Sequence, residues 1–143
     1  MRYLVFLALG LLFFGCKKED DYINMENLTH EDIELDNTTW VIHKSYEIPV
    51  RSTTNGRLPT LHFKDGGMGV GTNCNHAFSE YQIDGNTIKF RDLFTTYKYC
   101  PDMEIEAYFG TNIRSINSYI FSEGKLYLFI DKKMIGSFKR IAN

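Results

Sequence analysis

Residues 118–139 read SYIFS-EG-KLYLFID-KK-MIGSFK, three aromatic and β-branched runs, Ser118–Ser122, Lys125–Asp131 and Met134–Lys139, separated by two-residue breaks. Such runs, joined through Glu123-Gly124 and Lys132-Lys133, predict an antiparallel meander of three strands. The same texture extends upstream. Phe78 to Ile83 and Thr87 to Phe90 flank Asp84-Gly85-Asn86, a hairpin signal because Gly and Asn tolerate positive φ. Leu61 and Phe63 alternate with His62 and Lys64 before Asp65-Gly66-Gly67. Met68 to Thr72 is a strand spaced by Gly69 and Gly71, which predicts a bulge or a close backbone approach. At the head of the series Trp40, Ile42 and Tyr46 are expected on one side, with His43 and Ser45 on the other. The count is roughly eight strands, with the least regular connection over 46–59.

One segment departs from the period of two. Between Pro101 and Ile116, Ile105, Phe109, Ile113 and Ile116 recur at helical spacing. Pro101 suits a helix start, and Asp102, Glu104 and Glu106 lie where the N-terminal dipole favours anions. Gly110 costs ~1 kcal/mol in mid-helix and predicts close packing against a strand. The fold class is therefore α+β: a curved antiparallel sheet of roughly eight strands, cracked-barrel-like, wrapped over one helix.

With 143 residues the chain has room for one domain. A net charge of −2 lacks the basic footprint of a nucleic-acid binder. Charged residues at 24% exclude a polytopic membrane protein, and aromatics at 15% exclude wholesale disorder. The first residues read as a targeting segment. Arg2 is followed by an apolar run from Leu4 to Phe14, shorter than the ~20 residues that span a bilayer. The run ends at Gly15-Cys16 and gives way to Lys17-Lys18-Glu19-Asp20-Asp21. A small residue before a cysteine at that place resembles the bacterial lipobox. That resemblance implies a signal peptide over 1–15, acylation of Cys16, and a lipid-anchored protein of the bacterial envelope, expected at the outer membrane on its periplasmic face or at the cell surface. Several acyl chains anchor durably where one alone binds marginally. Residues 16–36 are rich in acids and are expected to be a flexible tether, so the domain is placed at 37–143.

Three pieces of the domain carry a second resemblance. They are Asn37-Thr38-Thr39-Trp40 with the later Gly69-x-Gly71-Thr72-Asn73-Cys74-Asn75, then Phe78-x-x-Tyr81-x-Ile83-Asp84-Gly85-Asn86-x-Ile88-x-Phe90, and Thr96-Tyr97-Lys98-Tyr99-Cys100-Pro101 followed by Glu106-x-x-Phe109. Together they resemble the META domain, also called HslJ-like, across about residues 37 to 141. The resemblance implies an incompletely closed sheet over one helix and a non-catalytic role in the envelope. That role is binding a protein partner or a hydrophobic ligand, in the manner of secretion pilotins, or a structural or stress-related one with no discrete ligand.

With Cys16 acylated, Cys74 and Cys100 are the remaining thiols. An oxidising envelope favours a bridge between them, closing a ~25-residue loop worth roughly 3–4 kcal/mol if the Cα atoms lie within ~7 Å. The other possibility is two buried or reduced thiols. Cys74, His76 and His62 form the only set resembling a metal site or a thiol with its base, and it lacks Cys-x-x-Cys or His-x-x-x-His spacing. A Cys/His-dependent enzyme survives only through that set, as the last of the alternatives, and no catalytic residue, metal or cofactor is assigned. Glu104 and Glu106, two apart on a helix, do not face one another as an acid–base pair would. The aromatic excess between Phe90 and Phe138 reads first as core filling and second as the lining of a groove for an acyl chain or an extended peptide. The expected partners are the membrane, through the anchor, and an envelope protein or lipid.

Overall fold

In a computed structural model, which describes residues 23–51, 56–72, 74–101 and 103–142, the alternating runs become eight strands. They are β1 (Thr38–Ser45), β2 (Thr60–Lys64), β3 (Gly67–Gly71), β4 (His76–Asp84), β5 (Thr87–Thr95), β6 (Ser118–Ser122), β7 (Lys125–Ile130) and β8 (Lys133–Ile141). The expected signal segment over 1–15, Cys16 and the charged run after it lie outside the described residues. Each strand pairs antiparallel with the next, and β8 returns to β1 through Thr39↔Ile141 to Ser45↔Gly136. The sheet expected to stay incompletely closed is therefore a closed barrel.

Closure is uneven. The β5–β6 ladder holds the single pair Thr87↔Ser118, flanked by Ile88 N–H to Asn117 O at 3.1 Å and Tyr119 N–H to Asn86 O at 2.9 Å. β6 has five residues against nine in β5 and runs on past the β4–β5 turn, so the far half of β5 has no strand on that side. The helix α1 (Glu104–Asn112) and a 3-10 turn, Ile113–Ser115, fill the gap. The helix begins three residues after Pro101. Its stripe is buried as the spacing predicts, with Ile105, Phe109, Ile113 and Ile116 joined by Tyr108 in the main core.

The up-and-down order puts the connections 46–59, 72–75, 96–117 and 131–132 at one end of the barrel. The tight turns near residues 65, 85 and 123 lie at the other. Both residues of Glu123-Gly124 take positive φ, 51° and 72°, as a two-residue hairpin matched to strand twist requires.

Three local expectations are corrected. A bulge between Ile42 and Lys44 shifts the register of β1, turning Ser45 inward and leaving Tyr46 exposed, off the Trp40–Ile42 side. In β3 there is no bulge: the close approach expected at Gly69 or Gly71 occurs at Gly71 and is made by a side chain, while a Cβ at Gly69 would meet nothing nearer than 3.8 Å. A Cβ at Gly67 would meet the Phe78 ring at 2.6 Å, and one at Gly71 would meet Thr60 Oγ1 at 2.8 Å. The largest correction concerns residues 23–36, expected within the flexible tether over 16–36. They lie along the barrel. Ile23, Met25 and Leu28 pack on Ile120, Tyr127, Phe129 and Met134 outside the sheet. Glu31 N–H donates to Phe121 O at 2.8 Å, and the His30 ring meets Tyr119 edge-on at 5.4 Å. Ile33 and the buried Leu35 then join the main core. Over 32–36 the acids alternate with Ile33 and Leu35, so Asp32 and Glu34 stay exposed while the apolar side chains pack.

Candidate functional site

Parts of the first and third segments quoted for the family resemblance meet at one place, the end of the barrel that carries α1. Glycine-rich β3 delivers Thr72 and, after a short turn, Cys74 and Asn75; the irregular chain after β5 delivers Thr96 and Lys98; the first turn of α1 delivers Glu106.

Asn75 is buried and its side chain uses its full hydrogen-bonding capacity. Its Nδ2 donates to Lys98 O at 3.0 Å and to Glu106 Oε1 at 2.6 Å. Its Oδ1 accepts from Lys98 N–H at 2.8 Å and from Thr96 Oγ1 at 3.0 Å. The Asn75 backbone N–H lies 2.9 Å from Thr72 Oγ1 and 3.2 Å from Glu106 Oε2, and the Thr72 hydroxyl donates to the same carboxylate. Glu106, expected only to complement the helix dipole, is thus the clasp that ties α1 to the β3–β4 turn. A carboxylate held by three donors is committed to holding the turn.

Cys74 and Cys100 are joined beside this clasp, with S–S 2.05 Å and Cα atoms 6.0 Å apart. The bridge ties the β3–β4 turn to the chain entering α1, the same two elements that Asn75 and Glu106 link by hydrogen bonds. Replacing both cysteines by serine is expected to lower the unfolding free energy by about 3 kcal/mol. A urea midpoint equal to that of the parent would show that the hydrogen bonds alone hold the two segments.

Of the other candidates, His62 and His76 line one pocket over β2–β4, away from any third metal ligand among the described residues. Cys74 is engaged in the bridge. The His62 ring nitrogens each lie 3.1 Å from a threonine hydroxyl, those of Thr39 and Thr60. Among the described residues no group of three or more His, Cys, Asp and Glu could hold a metal ion.

What the clasp encloses is a cleft of about 370 Å³ between β3–β5 and α1. Val70, Ala77, Leu93, Phe109 and Ile113 form its apolar floor, and Asn75, Thr96, Tyr97, Lys98, Tyr99, Met103 and Glu106 lie around it. That volume falls near the lower end of ligand pockets, ~300–1,000 Å³. Gly110 lines the helix side, and a Cβ built on it meets nothing within 4 Å. Close packing against a strand, expected from its position in the helix, is therefore absent; the glycine leaves room. Gly110→Ala is expected to stabilise the protein by about 0.5–1 kcal/mol through helix propensity. Chemical denaturation checks this, and a destabilised variant would show that the space at Gly110 is not available. Beneath the helix, burial pushes the Tyr108 phenol pKa up, and its hydroxyl donates to Ile135 O at 3.2 Å.

The aromatic residues divide. Tyr108, Phe109, Tyr119, Tyr127, Phe129 and Phe138 are buried, as core filling predicts. Phe94 is 67% exposed, Tyr99 95%, and Tyr97 is fully exposed, all at the cleft end. Sequence reasoning missed Asn75 as the centre of the site. The available signal was an asparagine next to a cysteine in a turn between two strands, among the residues that carry the resemblance.

Comparison with known proteins gives one family. The META domain family model matches residues 33–140. Two solved structures share the fold. An NMR structure of a protein from Burkholderia xenovorans is 20% identical, with a TM-score of 0.64 over 80% of this chain and 99% of that one. A second NMR structure is 15% identical, with a TM-score of 0.61 over 76% of this chain and 95% of that one. At these identities the likeness is one of fold. Among curated proteins none matches the chain.

Proposed function

From the premise that the chain belongs to the META domain family, we propose that it is a non-catalytic binding module of the bacterial envelope, anchored by acylated Cys16, which holds a hydrophobic ligand between the sheet and α1. The observation that carries this reading is the cleft: an apolar floor left open by Gly110 and framed by polar groups already committed to one another. Polar atoms that spend their hydrogen bonds on a frame are poor catalysts and good walls. A site of this kind selects by shape and apolar area, which suits an acyl chain. Capture of a partner by strand addition has less support, because a closed barrel offers few unpaired edges.

Native mass spectrometry tests the proposal on residues 21–143, which carry every described element, expressed in a bacterial envelope and purified without detergent. The expected spectrum shows a bound mass that leaves on delipidation and returns with a fatty acid or phospholipid. Gly110→Ala should retain that mass, and Gly110→Phe, which fills the cleft, should lose it. A bare polypeptide mass from the parent chain would overturn lipid carriage and direct the search to a protein partner.

A further inference from the structure

The exposed apolar side chains are not scattered over the barrel. Of the seven large hydrophobic residues exposed among the described residues, Tyr46, Phe78, Phe94, Tyr97 and Tyr99 lie in or near the connections at the cleft end, while Ile83 and Ile141 lie at the other. Phe78 and Phe94 are cross-strand partners, so two of the rings sit side by side on the outer face of β4 and β5. Tyr97 and Tyr99 project from the chain that borders the cleft. Rings with an apolar body and a polar tip concentrate at membrane–water interfaces, where one part is dry and the other wet.

The path of the N-terminal segment selects the occupant of this patch. Lys132, in the β7–β8 turn, pairs with Glu26 at 2.6 Å. That turn belongs to the cleft end, so the packed segment approaches the barrel there before running down the outside of β6–β8. Only Lys17 to Tyr22 stand between Cys16 and Ile23. At ~3.3–3.6 Å per residue this reach is at most about 25 Å. A lipid on Cys16 is therefore joined to the barrel by way of its cleft end, within that reach.

We infer that the cleft end of the barrel docks on the lipid surface, with Tyr97 and Tyr99 at headgroup level and the cleft mouth facing the membrane. The inference rests on the anchoring of Cys16 proposed above and deepens it: the anchor tethers the chain, the aromatic rim orients it, and the apolar ligand enters from the bilayer rather than from water.

Site-directed fluorescence on the full chain, carrying its N-terminal modification, tests this in phosphatidylcholine vesicles with and without bromine on the acyl chains. Trp40, the sole tryptophan, is fully buried and gives a constant background. Tyr97→Trp adds a reporter at the cleft end and Ile83→Trp one at the opposite end. The expected result is flotation of both variants with the vesicles, loss of the added emission in brominated lipid for Tyr97→Trp, and no loss for Ile83→Trp. Flotation with equal quenching of the two reporters, with none, or with quenching at position 83 alone would leave the anchor standing and overturn the orientation. A chain that does not float would refute the anchor, and the inference with it.

Discussion

A chain that begins at Asn37 is expected to be far less stable than one that begins at Asp21, and to aggregate. The loss comes from two places. Leu35 is buried in the main core, and removing it amounts to a large-to-small core deletion of ~2–5 kcal/mol. On the outer face, Ile120, Tyr127, Phe129 and Met134 are covered by Ile23, Met25 and Leu28; without that cover they form an apolar patch of the kind that associates. Glu31 also satisfies Phe121 O through its N–H, and its carboxylate accepts from Glu123 N–H at 2.8 Å. Urea unfolding of the two chains, with light scattering of each, measures the effect. Matching midpoints and no scattering would mean that residues 23–36 do behave as a tether.

Trp40→Ala is expected to cost ~3–5 kcal/mol and to lower Tm by roughly 10–20 °C. Trp40 is fully buried in β1, with its ring 5.9 Å from that of Phe121. Its indole also has a polar role. The Trp40 Nε1–H donates to Thr38 Oγ1 at 2.7 Å, and the Thr38 hydroxyl in turn donates to Leu35 O. This relay fixes the chain where the packed N-terminal segment turns into the barrel. Alanine removes the ring and leaves the buried Thr38 hydroxyl without that donor. Because the substitution deletes the sole tryptophan, unfolding is followed by far-ultraviolet circular dichroism. A change in Tm of less than a few degrees would show that the surroundings collapse into the space. Trp40→Phe, which keeps most of the volume but not the donor, separates packing from the relay.

The two predictions lie at the part of the chain where sequence reading and structure differ most. Residues 23–36 look solvated because they hold five acids, and the five apolar residues among them show alternation only in two isolated pairs, Ile23 with Met25 and Ile33 with Leu35. Periodicity reports regular elements packed on one side. A segment that packs irregularly against a barrel's outside and then into its open end carries no such signal. Tyr46 shows the same limit on a smaller scale: alternation places it beside Trp40 and Ile42, but one bulge inverts every later side chain of the strand. Gly110 is a third case. A glycine in a helix signals that a side chain is unwelcome there, yet only the tertiary neighbourhood distinguishes contact from vacancy.

What the sequence determined by itself was local and covalent. Eight alternating runs with turn residues at the right places, the stripe of Ile105, Phe109, Ile113 and Ile116, and the META resemblance are legible because each depends on neighbours within a few positions. Closure of the barrel, the seating of residues 23–36, the Asn75–Glu106 clasp and the cleft beside it were decided by the tertiary structure. Each depends on residues brought together from distant positions, such as Asn75 with Glu106 or Glu31 with Phe121. Their cost in chain entropy and their gain in burial and hydrogen bonding exist only once the sheet has curved round to meet itself.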